Sequence, residues 1–242
     1  MKLILDFGNT LQKIAVFDKN QMIAFKAFSK ISLKEIKKFI INYPIHSAII
    51  SSVINYPNEI KEFLLIKFNL IEFSENTPIP INNLYKTPET LGKDRLSAVI
   101  AANSISINRS SLVINAGTCI TYDFVDNNST YYGGAISPGL FMRFKALHTF
   151  TEKLPLITKI KSQNPLIGST TEESIFSGVL NGTLSEIEGI ISKYKEKYAD
   201  LLIILSGGDM KYFDKKIKNS IFAYPNIVMF GLNIILDFNA KK

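Results

Sequence analysis

The chain has 242 residues, of which 46% are hydrophobic and 20% are charged, a globular composition that excludes an intrinsically disordered protein. One cysteine excludes an internal disulfide, and with two histidines a zinc site is not expected. The formal net charge of +7 would suit nucleic acid, but the lysines are scattered and no arginine-rich run with interleaved aromatic residues occurs, so we expect no nucleic-acid partner.

The first predicted element is an apolar strand that starts at Lys2, reaches Asp6 and turns at Gly8, before a second strand from Leu11 to Asp18. A glycine permits a tight turn that a side chain would obstruct. A carboxylate at a buried strand end, beside backbone N–H groups and a hydroxyl, suits Mg²⁺ and phosphate oxygens. An ordinary hairpin with a turn aspartate is the alternative, and for this motif alone it is favoured.

The position of this strand at the start of the sequence leaves no room for a signal peptide. The most apolar stretches, 201–205 and 227–238, are too short or too interrupted to span a bilayer. We therefore expect a cytoplasmic protein without a membrane segment.

The first half continues with a strand from Met22 to Phe28 and then alternates helices with strands. A helix is predicted after Ser32, because Ser32 with Glu35 forms a capping-box pattern before an apolar stripe. The following elements are a strand His46–Ser52, a helix Pro57–Phe68 and a strand Leu70–Phe73. The order β-β-β-α-β-α-β is typical of an RNase H-like half.

A proline-rich segment, 74–89, precedes the charged sequence Gly92-Lys93-Asp94-Arg95 at the entrance of a predicted helix, Leu96–Ile105. Long loops within a compact chain are commonly functional. Asp94 could accept the proton of a substrate hydroxyl while the Arg95 guanidinium binds an anion. A capping aspartate with solvated neighbours is an equally good interpretation of these four residues.

The motif of the first turn recurs at Asn115-Ala116-Gly117-Thr118, again after an apolar strand and before two more strands. The second copy starts with Asn115, where the first has Asp6. Two such meanders predict an α/β fold with two tandem RNase H-like halves, residues 1–111 and 112–242. This arrangement is similar to that of actin-like and sugar-kinase-like ATPases, and it predicts a nucleotide between Gly8 and Gly117.

The second half contains further candidate site features. A glycine-rich stretch, 133–140, leads into a helix whose charges are expected to face solvent, with a partner-facing Arg143 as the alternative. Thr170 or Thr171 is expected to cap a helix Ser174–Lys197. A buried strand, Leu201–Leu205, runs into a glycine pair that could lie against a nucleotide base.

Two common nucleotide-binding signatures are absent from the sequence. Neither G-x-x-x-x-G-K-[ST] nor G-x-G-x-x-G occurs, so the P-loop and Rossmann interpretations lose their main support.

These motifs, in this order and spacing, resemble those of the type III pantothenate kinase family over nearly the whole chain. The opening Asp6 to Thr10 is common to many members of the larger superfamily. The more specific motifs are Tyr85 with 92–95, the strand from Gly117 to Asp123, the stretch 133–139, and the segment 168–171.

The resemblance implies an enzyme that transfers phosphate from ATP to pantothenate, giving 4'-phosphopantothenate in the first step of coenzyme A biosynthesis. It implies Asp94 as proton acceptor, Asp6 near Mg²⁺ through the phosphates, and a homodimer in which Thr171 comes from the other subunit. Asn115 stands where the family has an aspartate for a monovalent cation, K⁺ or NH₄⁺, so an intact cation site is not assured. The implied ATP contacts are Asp6, Phe7, Gly8, Asn9, Thr10, Leu11, Gln12, Lys13 and Thr118, and the implied pantothenate contacts are Tyr85, Gly92, Lys93, Asp94, Arg95 and Thr171.

Two other functions remain open from the sequence. One is a kinase for another small alcohol such as a sugar, although no cluster of acids and amides for a sugar is found and Arg95 suits a carboxylate-bearing substrate. The other is a catalytically weakened member that acts as an accessory transcription protein, which Asn115 and the net charge of +7 leave possible.

Overall fold

The computed structural model describes residues 1–160 and 165–240. The elements in chain order are β1 (Lys2–Phe7), β2 (Gln12–Asp18), β3 (Gln21–Phe28), α1 (Leu33–Ile40), β4 (Ser47–Ser52), α2 (Asn58–Lys67), β5 (Asn69–Glu72), β6 (Asn82–Asn83), α3 (Lys93–Ile105), β7 (Ser110–Ala116), β8 (Cys119–Val125), β9 (Thr130–Pro138), α4 (Leu140–Thr149), α5 (Thr171–Lys197), β10 (Leu201–Ser206), β11 (Phe222–Ala223) and α6 (Ile227–Ala240). Short 3₁₀ turns occupy Pro88–Thr90 and Met210–Tyr212.

The described residues divide into two compact units. The first comprises 1–107, 129–132 and 226–240, and the second comprises 108–128, 133–160 and 165–225. The predicted division of the chain into domains at residue 112 stays a prediction. Sequence analysis did not anticipate that the last helix, α6, belongs to the first unit.

The sheet of the first unit has the strand order β3-β2-β1-β4-β5. Its central strand, β1, is antiparallel to β2 and parallel to β4. This register places Asp6 opposite Lys13 on one side and Ser51 on the other. The end of β1 therefore carries a row of three polar residues across three strands.

The other sheet has the strand order β11-β10-β7-β8-β9-β6, and its first five strands repeat this arrangement. Here β7 is central, antiparallel to β8 and parallel to β10. Asn115 lies opposite Thr121 and Ser206. The register thus makes Asn115 the counterpart of Asp6, as the repeated sequence motif predicts.

Helix ends follow the predicted capping chemistry. Ser32 caps α1 and forms the reciprocal capping box with Glu35. Thr170 caps α5 through a hydrogen bond from the Glu173 backbone N–H, so the prediction of a threonine cap is confirmed for Thr170, and Thr171 is the first helical residue. α3 begins at Lys93, three residues before its predicted start at Leu96, so Asp94 and Arg95 lie within its first turn.

Helices α3 and α6 of the first unit pack closely against each other. α3 presents small buried residues, Ser97, Ala98, Ala101 and Ala102. Gly231 of α6 lies so close to them that a Cβ there would be 1.8 Å from the Ser97 carbonyl oxygen. Since the helix backbones touch, α6 fixes the position of α3 and of the residues at its start.

Within residues 1–160 and 165–240, no helix is both long and apolar enough to cross a membrane.

Candidate active site

Asp6 is a buried carboxylate at the end of β1. It is 6% exposed, and the Lys13 Nζ lies 3.7 Å from its Oδ2. The pKa of Asp6 is raised to about 6, mainly by burial. The positive charge of Lys13 lowers this pKa in part, and the negative charge of Asp94 raises it further. The two carboxylates of the first unit that the sequence singles out are therefore close enough to interact electrostatically.

The surroundings of Asp6 fit a divalent cation. The Ser51 hydroxyl is fully buried and close enough to lower the pKa of Asp6, yet it makes no hydrogen bond of regular geometry. A buried carboxylate and a spare hydroxyl are the oxygen donors that Mg²⁺ prefers. The described residues hold no cluster of three or more His, Cys, Asp or Glu for a metal, so Mg²⁺ here would share its coordination with phosphate oxygens and water.

The other residues of the first turn divide between the interior and the surface. Phe7 is buried and stacks on Tyr56, with ring centroids 5.0 Å apart. The Gln12 side chain is also buried, and its Oε1 accepts a hydrogen bond from the Ile31 N–H. The turn itself presents an exposed tip, formed by Asn9, Thr10 and Leu11. Phe7 and Gln12 could thus contact a nucleotide only through their backbone, whereas the tip offers side chains as well.

Gly8 is required by the tightness of this turn. A Cβ at that position would lie 2.9 Å from the Leu11 carbonyl oxygen, closer than packed atoms approach each other. The structure thus supplies a local reason for the glycine, and the reason is independent of any ligand.

Asp94 is held at the start of α3. Its Oδ1 accepts a hydrogen bond of 2.9 Å from the Arg95 backbone N–H, and the carboxylate is half-buried. Gly92 stands at the N-cap without a capping side chain, and a Cβ there would lie 2.7 Å from the same oxygen. Asp94 therefore stabilises the first turn of α3 without being its N-cap residue, and any side chain at position 92 would collide with its carboxylate.

Arg95 is only 5% exposed. Its Cζ lies 5.6 Å from the ring centroid of Tyr85, which stacks in turn on Tyr131 at 6.2 Å with an interplanar angle of 14°. Cation–π contact and stacking restrict the guanidinium to one orientation. The sequence grouped Tyr85 with Arg95, but it gave no sign of the contribution of Tyr131, which comes from β9.

At the second turn, three uncharged polar residues occupy the positions that correspond to Asp6 and its two neighbours in the first sheet. Asn115 is half-buried between Ser206 and Thr121, and the Thr121 Oγ1 is buried with no hydrogen-bond partner among the described residues. The amide oxygen of Asn115 and the unbonded hydroxyl of Thr121 are suitable ligands for a monovalent cation. The three residues Ser206, Asn115 and Thr121 supply no negative charge, however. Thr121, Ser206 and Ser51 were missed by sequence analysis, although polar residues at the ends of apolar strands were a signal for them.

The backbone around this turn is tightly packed. The Gly117 N–H donates to the Cys119 carbonyl at 3.0 Å, and the Gly139 N–H donates to the Thr118 carbonyl at 3.1 Å. Gly207, with φ of +97°, packs on the backbone of Ala116. The glycine-rich stretches singled out in the second half thus serve close approach between backbone segments.

Thr171 is exposed at the start of α5 and lines a cavity of about 610 Å³ in the second unit. The cavity lies between α4 and α5, and its other lining residues are Arg143, Ala146, Leu147, Leu154, Ser174, Ile175, Gly178 and Val179. Thr171 and Thr118 belong to the second unit, whereas Tyr85 and 92–95 belong to the first. The structure groups Asp6, Lys13 and Asp94 by electrostatics, and Tyr85 with Arg95 by stacking.

The expectation that the charges of α4 face solvent is wrong for Arg143. Its side chain is 22% exposed and makes an ion pair with Glu186 of α5. The reason is tertiary, because α5 brings a carboxylate to a helix face that looks like surface in the sequence. Lys145 of the same helix is exposed.

Comparison with known proteins gives a consistent family. A family model described as type III pantothenate kinase matches residues 2–193. A protein named type III pantothenate kinase from Phocaeicola vulgatus is 47% identical over 242 residues, covering 100% of both chains. Its namesake from Bacteroides fragilis is 44% identical over 244 residues, covering 99% of this chain and 98% of the relative.

Solved structures agree on the fold. A Campylobacter jejuni protein assigned to the Baf family of transcriptional activators gives a TM-score of 0.62 at 22% identity, covering 99% of this chain and 100% of that one. A glucokinase from an Antarctic psychrotroph gives 0.51 at 12% identity, with 98% of each chain covered. At these identities the likeness shows the fold alone. The predicted fold class, an α/β chain with two RNase H-like halves as in actin-like ATPases and sugar kinases, is confirmed.

Proposed function

The chain belongs to the type III pantothenate kinase family, whose members phosphorylate pantothenate in coenzyme A biosynthesis, and from this premise we propose how its residues carry out that reaction with ATP. The observation that carries the proposal is the electrostatic grouping of Asp6 with Asp94 in the first unit, next to the stacked Arg95. Asp6 acts at the phosphates of ATP, and Asp94 acts at the hydroxyl of pantothenate.

On the alcohol side, Asp94 accepts the proton of the primary hydroxyl of pantothenate. The hydroxyl oxygen forms a bond to the γ-phosphorus while the bond from that phosphorus to the β,γ-bridging oxygen breaks, and ADP leaves. Because the transition state of phosphoryl transfer is loose, the placement of Asp94 matters more than its strength as a base. The carboxylate of Asp94 is half-buried and not enclosed in the core, which supports access of a substrate hydroxyl.

Arg95 binds the carboxylate of pantothenate. A guanidinium already held by Tyr85 loses little side-chain entropy when it pairs with an anion, which favours such a role over an exposed lysine. Tyr85, Gly92 and Lys93 complete this pantothenate-binding segment in the first unit, and Thr171 supplies a further contact from the neighbouring subunit.

On the phosphate side, Asp6 and Lys13 with the exposed tip of the first turn bind the ATP phosphates, and Thr118 contacts ATP from the second turn. Mg²⁺ bound near Asp6 would supply neutralisation of phosphate charge. Asn115 and Thr121 would hold a monovalent cation, K⁺ or NH₄⁺, with neutral oxygens only. The proposal further includes a homodimer and a cytoplasmic location, both of which rest on the sequence and on the family.

A coupled assay of ADP release tests the function directly. With ATP and Mg²⁺, pantothenate should stimulate ADP release, whereas glucose and N-acetylmannosamine should not. Phosphopantothenate is identified as the product by mass spectrometry. Stimulation by a sugar but not by pantothenate would mean that the protein is a kinase for another alcohol. Binding of duplex DNA without any kinase activity would favour an accessory transcription protein.

A further inference from the structure

Arg143 makes three contacts that join separate elements of the second unit. Its Nε donates to the Pro138 carbonyl at 2.8 Å, and its Nη2 donates to the Ser137 hydroxyl at 2.8 Å and to the Glu186 carboxylate. The guanidinium therefore links the end of β9 to α5. The guanidinium spreads its donors over separate nitrogens in one plane, so that Nε reaches Pro138 while Nη2 reaches Ser137 and Glu186, whereas an ammonium carries its three donors on a single atom.

Glu186 is itself held in place on the other side. Its Oε1 accepts a hydrogen bond of 2.9 Å from the hydroxyl of Tyr122, a fully buried residue of β8. Although burial raises the pKa of Glu186, hydrogen bonds from Arg143, Ser137 and Tyr122 outweigh it and hold that pKa below its usual range. The acceptor for Arg143 is thus a fixed carboxylate, anchored from the core of the second unit.

The end of β9 touches the second turn directly. The Gly139 N–H donates to the Thr118 carbonyl at 3.1 Å. A Cβ at Gly139 would lie 2.1 Å from the Gly117 carbonyl oxygen and 2.4 Å from that of Thr118. There is no space between the two backbone segments, so a displacement of Pro138 and Gly139 displaces Gly117 and Thr118 as well.

We propose that Arg143 is a positioning residue for ATP: through Pro138 and Gly139 it fixes the Gly117-Thr118 turn in the geometry that binds the nucleotide. Neither the family motifs nor the sequence assigns this role to Arg143. The inference rests on the proposed function, because the nucleotide contact of Thr118 is part of that proposal.

The test measures the affinity for a non-hydrolysable ATP analogue with Mg²⁺ by calorimetry, in the full-length protein. Arg143→Gln removes the charge and all three contacts. Arg143→Lys keeps a charge for Glu186 but loses the simultaneous bond to the Pro138 carbonyl, so we expect it to fold even if the glutamine variant does not. Lys145→Gln is the matched control, because it removes one positive charge from an exposed position of the same helix.

Loss of hydrogen bonds to a charged group predicts about tenfold weaker binding for Arg143→Gln and about threefold for Arg143→Lys. The control should bind as the natural protein does. In steady-state kinetics, KM for ATP should rise in both Arg143 variants while KM for pantothenate changes by less than a factor of two. A purely structural role would lower the melting temperature and leave nucleotide affinity at 20 °C unchanged.

Unchanged analogue affinity in a folded Arg143→Lys or Arg143→Gln variant overturns the inference and leaves the proposed function standing. Analogue binding that responds to Arg143 in a protein unable to phosphorylate pantothenate overturns the proposed function but not the inference. A natural protein that binds no analogue overturns both.

Discussion

In the proposed mechanism, Asp94 combines two roles that sequence alone treated as alternatives. Its Oδ1 accepts a hydrogen bond from the Arg95 N–H at the start of α3, and the carboxylate is half-buried. Helix stabilisation and proton transfer are compatible, because one oxygen can accept the backbone N–H while the other faces a substrate.

Asp94→Asn should separate the two roles. The amide oxygen can still accept the Arg95 N–H, so we expect a normal melting temperature and unchanged binding of an ATP analogue. Without a proton acceptor, pantothenate phosphorylation should fall by roughly two to four decades. Near-normal turnover in this variant would leave Asp94 with the helix-end role only. Gly92→Ala is a useful companion, since its methyl group would displace the carboxylate and lower turnover without removing it.

Asp6 illustrates the cost of a buried charge in the ligand-free protein. The folded-state pKa of about 6 lies above the ordinary value of 3.8. This difference corresponds to about 3 kcal/mol of unfolding free energy that the protein loses when Asp6 is ionised. The sign follows from linkage: the folded state favours protonated Asp6, so its stability contribution is complete below pH 3.8 and is lost as the pH rises through about 6.

Asp6→Asn should therefore stabilise the ligand-free protein above pH 6. Urea unfolding in EDTA should show a free energy of unfolding higher by up to about 3 kcal/mol at pH 8, and little difference near pH 4. The same variant should bind Mg²⁺-ATP poorly. Asp18→Asn, at an exposed site on the same hairpin, should change neither quantity. An Asp6→Asn protein that is less stable at pH 8 would contradict this account.

Asn115 is the residue at which the second turn departs from the first. The row Ser206, Asn115 and Thr121 offers oxygens without negative charge, whereas hard cations favour carboxylates. We expect the natural protein to show weak activation by K⁺. Asn115→Asp should increase K⁺ activation and turnover, with little effect on the melting temperature, because the two side chains have nearly the same shape.

Titration of K⁺ against the initial rate for both proteins measures this difference. Strong, saturable activation of the natural protein that Asn115→Asp does not improve would mean that amide and hydroxyl oxygens are sufficient ligands. NH₄⁺ should behave like K⁺, and Na⁺ serves as the control cation.

At the scale of elements, the α3–α6 contact decides where the charged start of α3 lies. Gly231 permits the two helix backbones to touch at Ser97, four residues after Lys93 and one helical turn from the proposed catalytic residue. α6 therefore acts on the site through the placement of α3, although it contributes no side chain to the proposed chemistry.

Gly231→Ala should force the helices apart. Overpacking of this kind costs about 1–3 kcal/mol in the free energy of unfolding, and turnover should fall as α3 shifts. Gly189→Ala is the matched control, since Gly189 lies in α5 with open space where a Cβ would stand. There the substitution should stabilise the protein by up to about 1 kcal/mol through helix propensity. Equal effects at both glycines would show that the close contact at Ser97 is not limiting.

At the scale of the whole molecule, the proposed homodimer makes Thr171 a residue of the neighbour's site. Thr171→Ala should raise KM for pantothenate without affecting nucleotide binding. Subunit mixing tests the sharing of sites, because an Asp94→Asn subunit still supplies an intact Thr171 to its partner.

The mixing experiment is done at pantothenate concentrations well below the KM of the Thr171→Ala variant, where that variant is nearly inactive. Mixtures of Asp94→Asn and Thr171→Ala subunits should then recover about a quarter of the natural activity, as half of randomly formed dimers would be mixed and each would have one intact site. Light scattering should show dimers at assay concentration. An active monomer, or no recovery on mixing, would argue that each chain carries a complete site.

The sequence by itself determined the fold class, the duplicated meander and the helix caps. These features depend on local rules: apolar periodicity, glycine at tight turns, and the residues that cap helix ends. The equivalence of Asp6 and Asn115 also followed from the sequence, because a repeated turn motif predicts equivalent positions in two similar sheets.

Only the tertiary structure decided which distant residues meet. In the structure α6 belongs to the first unit, Tyr131 stacks on Tyr85, and Arg143 pairs with Glu186 where the sequence predicts a solvent-facing charge. It also raised the pKa of Asp6, since that value depends on burial and on Asp94, 88 positions away in the chain (94 − 6). The physical reason is that contacts between residues far apart in sequence depend on packing and burial, which leave no periodic signal in the sequence around either residue.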